Sequence, residues 1–188
     1  MPRLFDPLRV GRLELRNRIV MPPMATELAG RRGEVTPRLI DHYVERVEGL
    51  GLIIVEHSYV DVGGRLSPLQ LGAYDDSLVP GLARLADAVH RLGTPIALQI
   101  NHAGRRTTSF DCGRQPVAPS PISLPEGEVP RELLREEVEG LVERFCQAAR
   151  RVVEAGFDAV EVHGAHGFLL NQFVSPLSNR RSDEYGGS

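Results

Sequence analysis

Residues 95–102 read PIALQINH and residues 157–163 read FDAVEVH. Each is an apolar run of strand length that ends on a polar or histidine tail. Side chains alternate across a strand, so Ile96, Leu98 and Ile100 share one face while Ala97, Gln99 and Asn101 share the other. In the second run Val160 and Val162 lie together, and Glu161 and His163 lie opposite them. Strands covered by helices on both faces read as almost wholly apolar. These strands instead carry one apolar face and one that grows polar toward the C-terminal end. A barrel produces that pattern: its outer strand face meets helices, and its interior opens into a ligand site at the strand C-termini.

The rest of the chain supplies units of the same kind. LRVGRLEL (8–15) predicts a hairpin turning at Gly11, and a first strand is expected near residues 18–21. Thr36-Pro37 offers an N-cap followed by proline at the first helical position, after which Leu39, Ile40, Tyr43, Val44 and Val47 recur at helical spacing. GLIIVEH (51–57) predicts a buried strand. Leu78, Leu82, Leu85, Val89 and Leu92 mark the next helix, and Leu134, Val138, Leu141, Phe145, Ala149 and Val152 the clearest one. Strand–helix alternation fits a doubly wound sheet as well as a barrel, and the polar strand faces favour the barrel. A TIM (β/α)8 barrel has eight strands over about 250 residues. The expectation is therefore an α/β chain holding the first four strand–helix units of such a barrel after an N-terminal hairpin, with 1–188 as one domain.

Hydrophobic residues make up 41% of the 188, enough for a domain of this length to bury a core. The net charge of −3, with arginines scattered among acids, gives no pull toward nucleic acid or anionic membranes. Cys112 and Cys146 match no metal or redox spacing, no run is long enough to span a bilayer, and the start lacks a signal-peptide core. A cytoplasmic protein is expected, acting on a small molecule, with self-association as an open outcome and neither nucleic acid nor membrane as partner.

The chemistry gathers at strand ends. His163 and His166 flank Gly164, whose freedom would let the second imidazole fold back beside the first. Two imidazoles there could donate hydrogen bonds to one substrate oxygen. Metal is the competing reading, because His57, His102, His163 and His166 all fall at or just beyond strand ends. The candidate carboxylates Glu56 and Glu161 lie deeper, and no metal ligand is assigned. Pro22-Pro23 ends the ladder of the first strand and stiffens the chain ahead of Ala25 and Thr26. Gln99, on the inner face, either offers its amide to a heteroaromatic edge or bonds a neighbouring strand.

Taken in order, NRIVMPPMAT, GLIIVEH, LQINHAGR, PVAPSP and HGAHGFLLNQFVSPLSNRRSDEYGGS resemble the N-terminal half of the Old Yellow Enzyme (NADH:flavin oxidoreductase) family, nearest its bacterial dienoyl-CoA reductase and enoate reductase branch. The resemblance implies FMN over the strand C-termini and NAD(P)H as reductant. Hydride then passes from the flavin to an activated alkene: an enone, an enoate or an enoyl-CoA-like substrate. It needs no GxGxxG fingerprint, and none is present. It implies that Pro23, Met24 and Ala25 pack along the flavin, that His57 lies near the ring, and that Gln99 meets the pyrimidine edge. His163 and His166 would hold the substrate oxygen, with Thr26 and Phe168 lining the substrate pocket. Two features depart from the family. Phe168 stands where a proton-donating tyrosine is common, and His57 stands where a small residue is usual. The family's phosphate loops and the iron–sulfur cysteines of its multidomain branch fall outside these residues, so an iron–sulfur cluster stays undecided. The readings left beside an FMN-dependent oxidoreductase are a non-catalytic half-barrel and a metal-dependent barrel hydrolase.

Overall fold

In the computed structural model, which describes residues 1–187, the chain opens with an antiparallel hairpin. Its strands are β1 (Leu8–Val10) and β2 (Leu13–Leu15). Gly11 takes a positive φ of 60°, the conformation that a two-residue hairpin loop demands. Then follow β3 (Val20–Met21), α1 (Pro37–Val44), β4 (Leu52–Tyr59), α2 (Val79–His90), β5 (Ile96–Asn101) and the short α3 (Ser109–Cys112). The chain continues through β6 (Val117–Ala118), β7 (Arg131–Glu132), α4 (Arg135–Glu154), β8 (Ala159–Val162) and α5 (Leu169–Val174).

Four strands form one parallel sheet in the order β3-β4-β5-β8, each beside its predecessor in the chain. Parallel neighbours need crossovers, and α1, α2 and α4 provide them. Thr36 caps α1 as its sequence predicts, accepting a hydrogen bond from the Leu39 N–H at 3.2 Å. The core lies between the helices and the outer face of the sheet. Ile53, Val55, Ile96, Leu98 and Ile100 meet Leu39 and Tyr43 of α1, Leu82, Leu85 and Val89 of α2, and Ala148 and Val152 of α4.

Helix ends differ from the periodicity. Leu134 stands just outside α4, extended and 63% exposed, because its N–H is taken by the Glu137 side chain at 2.8 Å. Leu92 likewise lies beyond α2, ahead of Gly93 with its φ of 76°. The loop at 103–130 is not structureless: β6 pairs in parallel with β7. Asp61 ties both long loops to α4. Its carboxylate accepts from the Gly63 N–H and meets Arg114 at 2.7 Å and Arg144 at 2.6 Å.

Candidate active site

The polar residues collect where the parallel strands end. β3 runs into Pro23, Met24 and Ala25, of which Met24 is 64% exposed, and the Thr26 hydroxyl accepts from the Leu28 N–H at 3.2 Å. Strict alternation from Ile53 and Val55 would send His57 into the helix layer. It does not go there, because the strand bulges. Val55 pairs with Leu98 and the next pair is Ser58 with Ile100, so Glu56 and His57 together stand against Gln99. A bulge re-aims the side chains beside it. Glu56 turns to α1, where the Tyr43 hydroxyl lies 3.2 Å from its Oε2, and His57 turns to the strand ends.

There His57 lies 6.2 Å from the ring of His163 and 5.4 Å from that of Phe168. Burial, and then the neighbouring His163, push its pKa down to about 4. His163 is buried too, and its pKa is lowered chiefly by that burial, next by His166, against an opposing pull from Glu161. The Ala165 N–H donates to His163 Nδ1 at 3.3 Å. A nitrogen that accepts carries no proton, so neutral His163 keeps its proton on Nε2.

His166 follows with its ring 5.3 Å from that of His163 and nearly perpendicular to it. The turn that brings it there is not made at Gly164. His166 itself adopts a φ of 57° and Gly167 one of 74°. A left-handed conformation is uncommon for a residue with a side chain and is found enriched at functional sites. Phe168 is the packing centre of the group, 6% exposed, 4.6 Å from the His163 ring and with the Arg106 guanidinium carbon 5.2 Å above its own. Arg106 carries no signal in the sequence that would have singled it out.

Gln99 bonds the neighbouring strand. Its amide donates to Glu161 Oε1 at 2.5 Å across the register pair Gln99–Glu161, which leaves its own oxygen as an acceptor. Two residues further along the strand, both amide atoms of Asn101 are buried without a partner among the described residues. An inward amide left unpaired at a strand end is a group waiting for a polar atom. These strand ends together present neutral N–H donors, amide donors and acceptors, and an aromatic wall. That set suits a planar ligand with a polar edge and a substrate oxygen beside it. Among the described residues, no three His, Cys, Asp or Glu side chains converge as metal ligands, and no helix is long and apolar enough to cross a membrane.

The sequence profile of the NADH:flavin oxidoreductase / NADH oxidase family matches residues 3–188. The chain belongs to this family. Similar members are the NADH oxidase of Thermoanaerobacter brockii, 51% identical over the whole chain and 29% of that protein, and the NADPH dehydrogenase of Bacillus subtilis, 43% identical over 99% of the chain and 55% of that protein. The NADH:acrylate oxidoreductase of Vibrio harveyi is 45% identical over 94% of the chain and 18% of its own length. Among solved structures, the old yellow enzyme homologue from Zymomonas mobilis superposes with a TM-score of 0.93 at 35% identity, and morphinone reductase with 0.94 at 36%. Each superposition covers all of this chain and about half of the other, 55% and 54%. The sheet is thus a partial barrel of the Old Yellow Enzyme type, built from the first four parallel strands.

Proposed function

We propose that these strand ends serve an FMN-dependent NAD(P)H oxidoreductase of the ene-reductase kind, acting on an enone, enoate or enoyl-CoA-like substrate. The observation that carries the reading is the pair His163 and His166, one buried and neutral with its proton on Nε2, the other held beside it by a left-handed turn. The similarity to a protein named as an acrylate oxidoreductase supports the enoate end of that range.

The residues present fit a flavin. The free oxygen of Gln99 and the unpaired amide of Asn101 offer groups to a heteroaromatic edge. Pro23, Met24 and Ala25 leave β3 as a stiff segment for one face of the ring. FMN, when bound, supplies the hydride chemistry between NAD(P)H and the alkene. The protein's part is positional and electrostatic. His163 and His166 hold the carbonyl or carboxyl oxygen of the substrate, on which negative charge builds as hydride reaches the β carbon, and fixed donors stabilise that charge. Phe168 packs against the imidazoles of His57 and His163. It has no proton to give, so the proton for the α carbon comes from water or from another acid. We place the activity in the cytoplasm, a reading supported by the two unpaired cysteines.

In the FMN-loaded protein, His163→Ala and His166→Ala are expected to weaken binding of a phenol or an enone while flavin content stays constant. Each should slow the enone half-reaction by on the order of 10²–10³-fold. Loss of flavin with ligand affinity intact would overturn the assignment.

A further inference from the structure

Gln70 sits in the loop after β4, 3% exposed, and has no obvious role as a buried amide in an otherwise irregular segment. Its hydrogen bonds settle its orientation. The Leu66 N–H donates to Gln70 Oε1 at 2.7 Å, so the other end of the amide is the NH2 group. That nitrogen lies 2.7 Å from His57 Nδ1 and donates as well to the His57 carbonyl at 3.0 Å. An amide NH2 can only donate, so His57 Nδ1 must accept and cannot carry a proton. Neutral His57 is left with its proton on Nε2. Nε2 has no hydrogen-bond partner among the described residues. It is not sealed off either, since the buried unpaired polar atoms are confined to Arg18, Thr94, Asn101 and Arg105.

We propose that Gln70 is a positioning residue that fixes His57 as a neutral Nε2–H donor, so that a third imidazole N–H faces an acceptor atom of the ligand beside His163 and His166. The identity of that acceptor as an atom of FMN rests on the flavin reading; the fixed tautomer does not. Two independent devices then do the same thing. A side chain from a loop sets the proton of His57, and a backbone N–H sets that of His163. The pocket gains donors without gaining cations.

The groups that face His57 are few. From β8 and its following turn come His163 and, behind it, His166; Glu161 is engaged by Gln99 of β5. Arg106 lies beyond the Phe168 ring, and Glu56, next in the chain, is turned away to Tyr43. Among the described residues, Gln70 is the one hydrogen-bond partner of Nδ1.

Protein labelled with ¹⁵N-histidine tests this, because long-range ¹H–¹⁵N spectra separate a protonated ring nitrogen from an unprotonated one. His57→Gln assigns the signal. In the parent protein His57 is expected to show a bare Nδ1 and a protonated Nε2 at neutral pH, and to titrate with a midpoint near 4. Gln70→Glu keeps the shape and the bond from Leu66 but replaces the donor by a carboxylate. It should move the proton to Nδ1 and raise the midpoint by about one pH unit or more. A proton on Nδ1 in the parent, or an unchanged tautomer and midpoint in Gln70→Glu, overturns the role of Gln70. These spectra need no ligand, so they are independent of flavin binding. In the FMN-bound protein the Nε2–H signal is expected to move downfield; a signal that stays in place there overturns the donor role of His57.

Discussion

β5 and β8 run side by side with the same alternating pattern, yet the fold treats them differently. Ile100 and Val162 are register partners on the same face of the sheet, and they are 0% and 55% exposed. β5 has a strand on each side and the packed helices behind it. β8 has one strand neighbour, and beside it a groove of about 730 Å³ opens between α4 and α5, lined by Phe145, Val162, Leu169 and Phe173. The alternation in the sequence says which side chains are suited to burial. It does not say whether these residues provide the cover.

The largest expected effect tests that contrast directly. Ile100→Ala should lower the stability of the chain by about 2–5 kcal/mol, through lost transfer energy and the cavity left behind. Val162→Ala should stay within about 0.5 kcal/mol, as exposed positions do. Urea unfolding measures both. Equal losses would break the comparison, because Val162 would then be covered in solution.

The polar side of the same sheet sharpens it at a slightly smaller scale. His57 has its pKa lowered to about 4 from an ordinary 6.5. The unfolded chain therefore binds the proton first as pH falls. The stability that neutral His57 contributes is complete above pH 6.5 and is lost as pH drops toward 4, by about 3 kcal/mol in all. His102, buried and also lowered, acts in the same direction. Glu56 acts against them, since burial raises its pKa and the folded state takes up its proton more readily. Unfolding midpoints between pH 7 and pH 4 should fall, and His57→Gln should flatten that fall. An identical pH slope in the variant would remove His57 from the account.

The smallest effect concerns the two histidines after β8. His163 is buried in ordinary backbone geometry, whereas His166 is exposed with its φ of 57°. Glycine reaches that conformation without a Cβ penalty. His166→Gly should thus be neutral or stabilise the fold by up to about 1 kcal/mol, while it weakens phenol binding in the FMN-loaded protein. A clear loss of stability would mean that the imidazole itself holds the turn.

Much of the architecture is legible because its causes are local. Thr36-Pro37 starts a helix wherever it is placed, Gly11 turns a two-residue hairpin, and the apolar faces of 95–102 and 157–163 identify strands that are lined on one side by helices. The family motif also brings His163, His166 and Phe168 to one place. What fails is what depends on partners distant in sequence. The resemblance puts His57 near the ring, but the bulge between Val55 and Ser58 that turns it there has no mark in the sequence. The bond of Gln99 to Glu161 joins residues 62 apart in the chain, and neither signals the other in the sequence. Gln70 has no signature at all, because its partner is a ring nitrogen reached across a loop.

The sequence by itself determined the order of strands and helices, the apolar face of each, and the residue types gathered at the strand ends. Those follow from periodicity and from the conformational limits of proline, glycine and capping residues, which act within a few positions. Tertiary structure alone decided where the proton of His57 resides and which apolar residues are covered. Those depend on register and on groups brought together from far along the chain, and a hydrogen bond or a buried face exists only once both of its sides are in place.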